Sequence, residues 1–468
     1  MDSKAARFLR SLDGKKVALC GIGKSNLPLI SLFSRYGAQV TACDKRTQEQ
    51  LGEAAQQAKD AGAQLSVGED YLKNLDADIL FRTPGMRFYM EELNTFREQG
   101  VAVTSEMEVF FELCPCKIIA VTGSDGKTTT TSIIAELLKA AGKNVHLGGN
   151  IGKPLLPEIE TINETDVAVV ELSSFQLISM RQSPDIAVVT NLAPNHLDIH
   201  KDMQEYIDAK KNIILHQNAF SRAVLNMDNE ITKGFAPDCR GTVYGFSRKQ
   251  TLSNGCYTVK DGSIMMAVNG NAKKVMDISD IKIPGMHNVE NYLAAIAAVW
   301  GAADADIIRQ VAQSFNGVEH RAEFVRKVNG VKYYNDSIAS SPTRTACGTL
   351  SLYDEKIVLI AGGYDKKIPY EPLGPVINKK VKLLILMGAT AGKIEAAVKN
   401  AENYEQEHPD IIRVSNMEQA VQAAYKNASD GDIVSLSPAS ASFDLYPNFD
   451  ARGKHFKELV YKLKGKEG

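Results

Sequence analysis

Residues 116–142, CKIIAVTGSDGKTTTTSIIAELLKAAG, are the stretch of this chain that decides its fold. The apolar run 116–121 predicts a buried strand, and apolar residues at helical spacing from Ile133 predict an amphipathic helix that Gly142 ends. The glycine-containing turn between them places backbone N–H groups at the start of that helix, where the macrodipole is positive and phosphate binds. The stretch therefore predicts a site for a nucleoside triphosphate.

Two side chains of the turn have expected tasks in this site. Lys127 can place a point charge on the terminal phosphates, and the Thr128 hydroxyl can hold Mg²⁺. The strict P-loop pattern would require glycine at 121, where this chain has Val121, so the loop is a shortened variant. The phosphate-binding residues predicted from the turn are Gly123, Ser124, Asp125, Gly126, Lys127, Thr128 and Thr129.

Length and composition narrow the class of protein. A chain of 468 residues exceeds one hydrophobic core, and about three domains are expected. The net charge of −2 gives no broad basic surface for nucleic acid or for an anionic membrane. The most apolar helix, 292–303, is too short to span a bilayer, and seven cysteines make no disulfide framework. We expect a cytoplasmic protein with no nucleic-acid partner and no membrane insertion, and we expect a monomer.

The first hundred residues predict a small α/β domain. A strand at 16–20 runs into Gly21-Ile22-Gly23, and a second strand at 39–44 ends on Asp44. This arrangement resembles a dinucleotide fold, in which an acid binds a ribose hydroxyl. Asn26 stands in place of the third glycine, which weakens the signal for NAD and disfavours a hydride-transfer enzyme.

The central residues predict further parallel strands whose carboxyl ends meet at one crevice. The strand 166–170 delivers Glu171, and the strand 185–190 delivers His196. Both side chains could ligate a divalent metal beside the phosphates, or each could be a hydrogen-bonded polar residue. A third α/β segment starts near Gly317, with strands at 331–334, 356–360, 383–386 and 432–436.

The predicted fold class is therefore α/β with three domains. These are a Rossmann-like N-terminal domain (1–105), a central P-loop-type mononucleotide-binding domain with a mostly parallel sheet (106–317) and a C-terminal Rossmann-like α/β domain (318–468).

Motifs from Gly21 to Phe456 resemble those of the Mur ligases, ATP-dependent enzymes of peptidoglycan assembly. The broader matches are GSDGKTT at 123–129, ELSSFQL at 171–177, NHLD at 195–198, Tyr206-x-x-Ala209-Lys210, His287-Asn288-x-x-Asn291 and His320-Arg321. Narrower matches, to the branch that adds D-glutamate, are NDS at 335–337, GGYDK at 362–366 and LSPASASFD at 436–444.

The resemblance implies an ADP-forming ligase that uses ATP and Mg²⁺ in cell-wall synthesis, and hence in cell shape and division. It implies that D-glutamate is joined to UDP-N-acetylmuramoyl-L-alanine through an acyl phosphate. Domain 1–105 would bind the UDP substrate, 106–317 would bind ATP, and 318–468 would bind the acceptor and close on ATP.

The family match also implies roles for individual residues. The catalytic residues would be Lys127, Glu171, His196 and Lys210. The metal ligands would be Thr128, Glu171, His196 and Lys210 as a carbamate. From the residues alone, Lys210 is a surface lysine on a helix, and the resemblance reverses that interpretation.

The remaining contacts implied by the family fall into three sets. ATP would also be bound by Asn288, Asn291, Arg321 and Asp336. The UDP substrate would be bound by Gly21, Lys24, Ser25, Asn26, Asp44, Arg46, Thr83, Gly85 and Asn150. The carboxylates of the acceptor would be bound by Lys366, Ser442 and Phe449. For Asn288 a helix cap is an alternative, and for Lys24 and Arg46 plain surface charge is an alternative.

Two residues depart from the family pattern, and other functions stay open. Asp125 stands where relatives more often have asparagine, and it is either solvated or metal-facing. Ile338 stands where many relatives have lysine, which leaves more of the acceptor's charge to Lys366.

A folylpolyglutamate synthase or a neighbouring Mur ligase is the alternative enzyme, and a nucleotide-dependent switch is the alternative outside enzymes.

Overall fold

The computed structural model describes residues 3–194 and 199–465 of the chain. His196 falls outside the described residues, so its predicted role stays a prediction. The described chain forms two compact units, Met1–Asp280 with Val289–Ala312 and Ile281–Asn288 with Gln313–Gly468. The three-domain boundaries inferred from the sequence stay a prediction.

The first segment of the chain alternates strands and helices. Its elements are α1 Lys4–Arg10, β1 Lys16–Cys20, α2 Leu27–Arg35, β2 Gln39–Asp44, α3 Gln48–Leu51, α4 Glu53–Asp60, β3 Gln64–Val67, β4 Ile79–Arg82, α5 Glu91–Glu98, β5 Ala102–Thr104 and α6 Glu106–Leu113. The strands form a parallel sheet in the order β3-β2-β1-β4-β5. The order reverses between β1 and β4, which places the ligand crevice of such a sheet at the ends of these two strands.

The second segment contains the predicted phosphate loop between its first strand and its first helix. Its elements are β6 Lys117–Thr122, α7 Lys127–Ala140, β7 Val145–Gly149, β8 Val167–Glu171, α8 Ser174–Leu177, β9 Ile186–Val189, α9 Met203–Leu215, β10 Arg222–Asn226, α10 Glu230–Lys233, β11 Thr242–Ser247, β12 Gly255–Thr258, β13 Ser263–Val268, β14 Asn271–Asp277, α11 Met286–Val299 and α12 Ala305–Ser314. The sheet order is β14-β13-β12-β11-β10-β9-β6-β8-β7, parallel from β7 to β12. β6 lies between β8 and β9, so the ends of these three strands meet at one edge.

The third segment repeats the design within the second unit. Its elements are β15 Glu323–Val328, β16 Val331–Asn335, β17 Ile357–Ala361, α13 Gly374–Lys380, β18 Val381–Leu386, α14 Ala391–Lys399, β19 Asp410–Arg413, α15 Met417–Asn427, β20 Ile433–Leu436 and α16 Phe449–Lys462. The sheet order is β15-β16-β20-β17-β18-β19, antiparallel only between β15 and β16. The predicted α/β fold class with mostly parallel sheets is confirmed.

Apolar burial explains why the central strands of these sheets form. The strands β8, β9, β17 and β20 are buried along their whole length, as parallel strands covered on both faces require. In the second unit, separate hydrophobic clusters cover the two faces of the sheet, one around Phe456 and the other around Leu359. No helix among the described residues combines the length and the apolarity that crossing a membrane requires.

A buried carboxylate fixes α6 within the first unit. Glu106 accepts hydrogen bonds from the backbone N–H groups of Leu155 at 2.9 Å and Leu156 at 2.8 Å. Burial raises the pKa of Glu106 to about 7, although the two backbone bonds act in the opposite direction. Because this pKa lies above the ordinary 4.5, the folded state binds the proton more tightly than the unfolded state. The stabilisation is therefore complete below pH 4.5 and is lost as the pH rises through 7.

The substitution Glu106→Gln tests this assignment, since glutamine keeps an acceptor for both N–H groups and carries no charge. We expect the free energy of unfolding of the variant, relative to wild type, to rise by about 3 kcal/mol between acidic and mildly alkaline pH. Urea unfolding at both pH values measures this difference, with Glu112→Gln, an exposed position of the same helix, as the control. A difference that is the same at both pH values would contradict the assignment.

Candidate active site

The phosphate loop, residues 123–129, contains two glycines with positive φ. The φ angle is 149° at Gly123 and 77° at Gly126, the residue just before α7 begins. A Cβ at Gly126 would overlap Oδ1 of Asn291, which also accepts a hydrogen bond from Thr130 Oγ1 at 3.2 Å. Position 126 therefore requires glycine both for its backbone conformation and for the close approach of Asn291.

The residues that follow β9 hold the backbone of the loop. The N–H of Ser124 donates to the carbonyl of Asn191 at 2.8 Å, and the N–H of Asp125 donates to Asn191 Oδ1 at 3.0 Å. Thr190 Oγ1 donates to the carbonyl of Asp125 at 2.6 Å. The loop is thus fixed in shape by the neighbouring strand end.

The lysine of the loop lies against its own turn. Lys127 Nζ donates to the carbonyls of Gly123 at 2.9 Å and Ser124 at 2.8 Å. Its ammonium group is therefore located at the turn where the sequence predicts phosphate. Thr128 is half-buried, Thr129 is buried, and the Asp125 side chain is exposed.

Glu171 ends β8 with its carboxylate inside the protein. The side chain is 1% exposed, and its Oε1 accepts from Asn150 Nδ2 at 2.7 Å. Its Oε2 is buried and has no hydrogen-bond partner among the residues that the structure describes. An unsatisfied buried carboxylate oxygen beside a phosphate loop has the chemistry of a divalent-cation ligand. Asn150 thus contacts this carboxylate, and its predicted role in binding the UDP substrate stays a prediction.

Lys210 is not the surface lysine that the residues alone suggested. The side chain is 2% exposed, and its Nζ donates to Oγ1 of Thr122, the last residue of β6, at 3.1 Å. Burial and the nearby charge of Lys127 hold the pKa of Lys210 well below its ordinary value, and the charges of Glu171 and Asp125 oppose this shift. The amine therefore lies close to the phosphate loop and loses its proton more easily than an exposed lysine does.

Tyr206, one turn before Lys210 on α9, contacts both the Lys210 amine and the phosphate loop. Its ring lies 5.0 Å from Lys210 Nζ, and its hydroxyl is hydrogen-bonded to Ser124 Oγ at 2.9 Å. The helix α9 is in this way attached to the phosphate loop.

In the crevice of the first sheet, residues predicted to bind the UDP substrate are hydrogen-bonded within the protein. The Asp44 carboxylate accepts from the N–H of Ile22 at 2.9 Å and from Arg46 Nη2 at 2.7 Å. Burial raises the pKa of Asp44, but the hydrogen bonds from Arg46 and from the Ile22 N–H outweigh burial and hold this pKa below its usual range. Asp44 and Arg46 thus shape the Gly21 turn, and a Cβ at Gly21 would lie 2.7 Å from Thr83 Cγ2.

The other predicted donor-site residues differ in exposure. Asn26 is buried and its Nδ2 donates to the carbonyl of Cys20 at 2.9 Å. Lys24 and Gly85 are exposed, and Ser25 is half-buried.

Asn288, which is predicted to bind ATP, lies in the second unit. Its Nδ2 donates to the carbonyl of Pro284 at 2.6 Å.

Two further residues predicted to bind ATP lie in the second unit. Arg321 precedes β15, and Asp336 follows β16. Asp336 is buried, accepts from the N–H of Ala322 at 3.2 Å and is hydrogen-bonded to Thr349 Oγ1. Burial raises the pKa of Asp336, while the Thr349 bond and the charge of Arg321 act against that shift. His320, the residue before Arg321, has a positive φ of 63°.

The predicted acceptor-binding residues come from segments that meet at the carboxyl edge of the third sheet. Ser442 is buried, whereas Lys366 and Phe449 are exposed. The N–H of Tyr364, two residues before Lys366, donates to the carbonyl of Ala441 at 2.9 Å. This bond joins the segment of Lys366 to the segment of Ser442.

Arg452, which the sequence analysis missed, connects these segments. Its buried guanidinium donates to the carbonyls of Ser337 at 2.8 Å, Ser440 at 3.1 Å and Ala441 at 2.9 Å. Burial lowers the pKa of Arg452 to about 10. A signal existed, because Arg452 precedes Phe456 and Val460 by one and two helical turns and so shares the apolar face of α16.

Comparisons with known proteins identify the family of this chain. The model of the Mur ligase middle domain matches residues 121–299, and the model of the Mur ligase glutamate ligase domain matches residues 320–440. The chain is 54% identical over 466 residues to the UDP-N-acetylmuramoylalanine–D-glutamate ligase of Acetivibrio thermocellus, covering 99% of this chain and 100% of that protein. It is 51% identical over 457 residues to the ligase of the same name from Clostridium beijerinckii, covering 97% and 98% of the two chains.

Solved structures show the same fold at low identity. The UDP-N-acetylmuramate-alanine ligase of Thermotoga maritima superposes with a TM-score of 0.57 at 18% identity, over 96% of this chain and 100% of that one. A pseudomurein peptide ligase type C from Methanothermus fervidus gives 0.52 at 19% identity, over 96% and 100%.

The contact between Gly126 and Asn291 generates a prediction with a matched control. Gly126→Ala introduces backbone strain and a clash with Asn291, whereas Gly142→Ala introduces strain at a similar φ of 76° with no atom within 4 Å of the new Cβ. We expect Gly126→Ala to weaken nucleoside triphosphate binding by at least about tenfold, and Gly142→Ala to leave it unchanged. Titration calorimetry with a non-hydrolysable analogue measures both. Equal affinities in the two variants would show that the contact with Asn291 does not shape the site.

Proposed function

The chain belongs to the Mur ligase family, and from this premise we propose that it joins D-glutamate to UDP-N-acetylmuramoyl-L-alanine while ATP is converted to ADP and phosphate. The observation that carries the proposal is the phosphate loop with the buried Glu171 and Lys210 beside it, in a chain that matches D-glutamate ligases nearly end to end. The enzyme is an ATP-dependent, ADP-forming carbon–nitrogen ligase of peptidoglycan synthesis. Its cytoplasmic location and its monomeric state stay predictions.

The first step activates the donor. A carboxylate oxygen of the UDP substrate forms a bond to the γ-phosphorus of ATP, and the bond to the β-bridging oxygen breaks to release ADP. Lys127 would neutralise charge on the phosphates, and the start of α7 offers further N–H groups. The protein contributes positioning and electrostatic stabilisation, which supply most of the catalysis in phosphoryl transfer.

The residues beside the loop fit a Mg²⁺ site. Glu171 Oε2 is buried without a partner among the described residues, and the charge of Glu171 acts on Lys210. Thr128 belongs to the phosphate loop, in the first turn of α7. We propose that the neutral form of the Lys210 amine, which burial favours, forms a nitrogen–carbon bond to carbon dioxide and releases a proton to the solvent. The carbamate that results is an anionic ligand. Bound Mg²⁺ would neutralise the charge that develops on the phosphates.

The second step forms the amide. The amine of D-glutamate forms a bond to the activated carbonyl carbon, and the carbon–oxygen bond to phosphate breaks. Lys366 is the exposed cation proposed to bind an acceptor carboxylate. The carboxylate of its neighbour Asp365 is already paired, because it accepts from Lys393 Nζ at 2.6 Å and this bond lowers the pKa of Asp365. Lys366 forms no ion pair with the residues that the structure describes, so its positive charge is available to the acceptor.

The proposal is tested by phosphate release from ATP with UDP-N-acetylmuramoyl-L-alanine and a panel of acceptors. D-glutamate should support turnover, and L-glutamate or meso-diaminopimelate should not, because a site shaped for one dicarboxylate leaves buried polar groups unpaired with another. Equal turnover with these acceptors would contradict the D-glutamate assignment and leave only the family.

The role of Lys366 gives a sharper outcome in the same assay. Lys366→Ala should raise the KM for D-glutamate by at least about tenfold and barely change the KM for ATP, since a charge-assisted hydrogen bond to one carboxylate is lost. Lys367→Ala, a substitution of the adjacent exposed lysine, is the matched control and should change neither. Similar effects of the two substitutions on the KM for D-glutamate would refute the specific role of Lys366.

A further inference from the structure

His200 is a buried histidine with both ring nitrogens hydrogen-bonded. Its Nδ1 lies 3.0 Å from Glu205 Oε2, and its Nε2 lies 2.8 Å from Ser174 Oγ. The imidazole stacks on the ring of Phe175 with a centroid distance of 5.0 Å and an interplanar angle of 5°. It forms a T-shaped contact with the ring of Tyr206 at a centroid distance of 5.4 Å. Position, tilt and rotation of the imidazole are therefore all fixed by its neighbours.

The chemistry of the partners assigns the direction of the hydrogen bonds. A carboxylate only accepts, so Nδ1–H donates to Glu205, and with a neutral ring the Ser174 hydroxyl donates to Nε2. Serine, histidine and a carboxylate in this order are also the components of a nucleophilic triad. Ser174 is 2% exposed at the start of α8, so a reagent has no access to its hydroxyl. The network holds structure and does not act as a nucleophile.

The two partners of His200 belong to the segments that carry the proposed metal ligands. Ser174 begins α8, three residues after Glu171 at the end of β8. Glu205 lies in the first turn of α9, next to Tyr206 and five residues before Lys210. The N–H of Glu205 donates to Oδ1 of the helix-capping Asp202 at 2.8 Å, so the carboxylate that holds His200 is part of an ordered helix start.

We propose that His200 is a positioning residue that sets the distance between Glu171 and Lys210 and thereby the affinity of the site for a divalent cation. The inference rests on the proposed function, because it takes these two residues as metal ligands. Groups that orient metal ligands from behind commonly change metal affinity by about 10- to 100-fold when they are removed. The acceptor site lies on other segments and should be unaffected.

His200 connects Ser174 to Glu205 through two hydrogen bonds, which we call the His200 bridge, and two substitutions each remove one of these bonds. His200→Asn can reproduce the Nδ1 donor to Glu205 and loses the bond to Ser174, whereas His200→Gln can reach Ser174 and loses the bond to Glu205. We expect each to weaken binding of Mn²⁺, used as a paramagnetic probe for Mg²⁺, by about tenfold in the presence of a non-hydrolysable ATP analogue. Electron paramagnetic resonance of free Mn²⁺ measures the dissociation constant without turnover.

His146→Gln is the matched control for a purely structural effect. His146 Nε2 is hydrogen-bonded to Asp166 Oδ2 at 2.8 Å, and this pair lies at the starts of β7 and β8, at the sheet edge opposite the phosphate loop. The control should lower the melting temperature to a similar extent and leave Mn²⁺ affinity unchanged. Glu205→Gln, which weakens the same bridge from α9, replaces either His200 variant that does not fold.

The outcomes separate this inference from the proposed function. Unchanged Mn²⁺ affinity in folded His200 variants, with normal binding by wild type, overturns the positioning role alone. Equal loss of affinity in His146→Gln also overturns it, because the effect would then follow general stability. Absence of nucleotide-dependent Mn²⁺ binding by wild type would overturn the metal site itself, and this inference with it.

Discussion

The burial of the Lys210 amine beside the phosphate loop is the constraint on which the active site depends. Removing an ammonium group from water costs several kcal/mol unless charges or hydrogen bonds compensate. Here the neighbouring Lys127 adds to the cost, and the Thr122 hydroxyl at 3.1 Å offers a neutral partner. The pKa of Lys210 is accordingly well below its ordinary value. A neutral amine is the form that can react with carbon dioxide, which is why we propose that this lysine becomes an anion.

The surrounding structure is arranged around that one side chain. β6 supplies Thr122, β8 supplies Glu171 with its unpaired oxygen, and α9 is attached to the loop through the Tyr206 hydroxyl. A carbamate on Lys210 would add a negative charge next to Glu171, and two anions with a hydroxyl suit Mg²⁺. The carboxyl ends of adjacent parallel strands bring these groups together although they are distant in the sequence.

The sequence predicted the central elements well because these strands and helices have long apolar patterns. The phosphate loop, β1, β2, β8 and β9 were located within about two residues, which is the usual uncertainty of element ends, and so was the end of α7. The apolar pattern of α7 was recognised only from Ile133, although the helix begins at Lys127. The strands β3, β15 and β19 were missed for a common reason. Each is at the edge of its sheet and is half-exposed, so its residues, such as QLSV at 64–67, form no apolar run.

The site was harder to predict, because its key contacts join residues far apart in the chain. No local pattern indicates that Lys210 contacts Thr122, 88 residues earlier, or that His200 contacts Ser174. The family resemblance supplied the residue types, and the structure supplied the partners. Asn150 and Asp44 are examples. The resemblance predicted that both bind substrate, and the structure shows that Asn150 is hydrogen-bonded to Glu171 and Asp44 to Arg46.

The measurement that tests the account most directly is ¹³C NMR of the enzyme equilibrated with ¹³C-labelled bicarbonate. The account predicts a carbamate carbon resonance in the wild-type enzyme that is absent in Lys210→Arg, because a guanidinium group does not form a carbamate and stays cationic. A wild-type spectrum without a carbamate signal, or a signal that persists unchanged in Lys210→Arg, would contradict it.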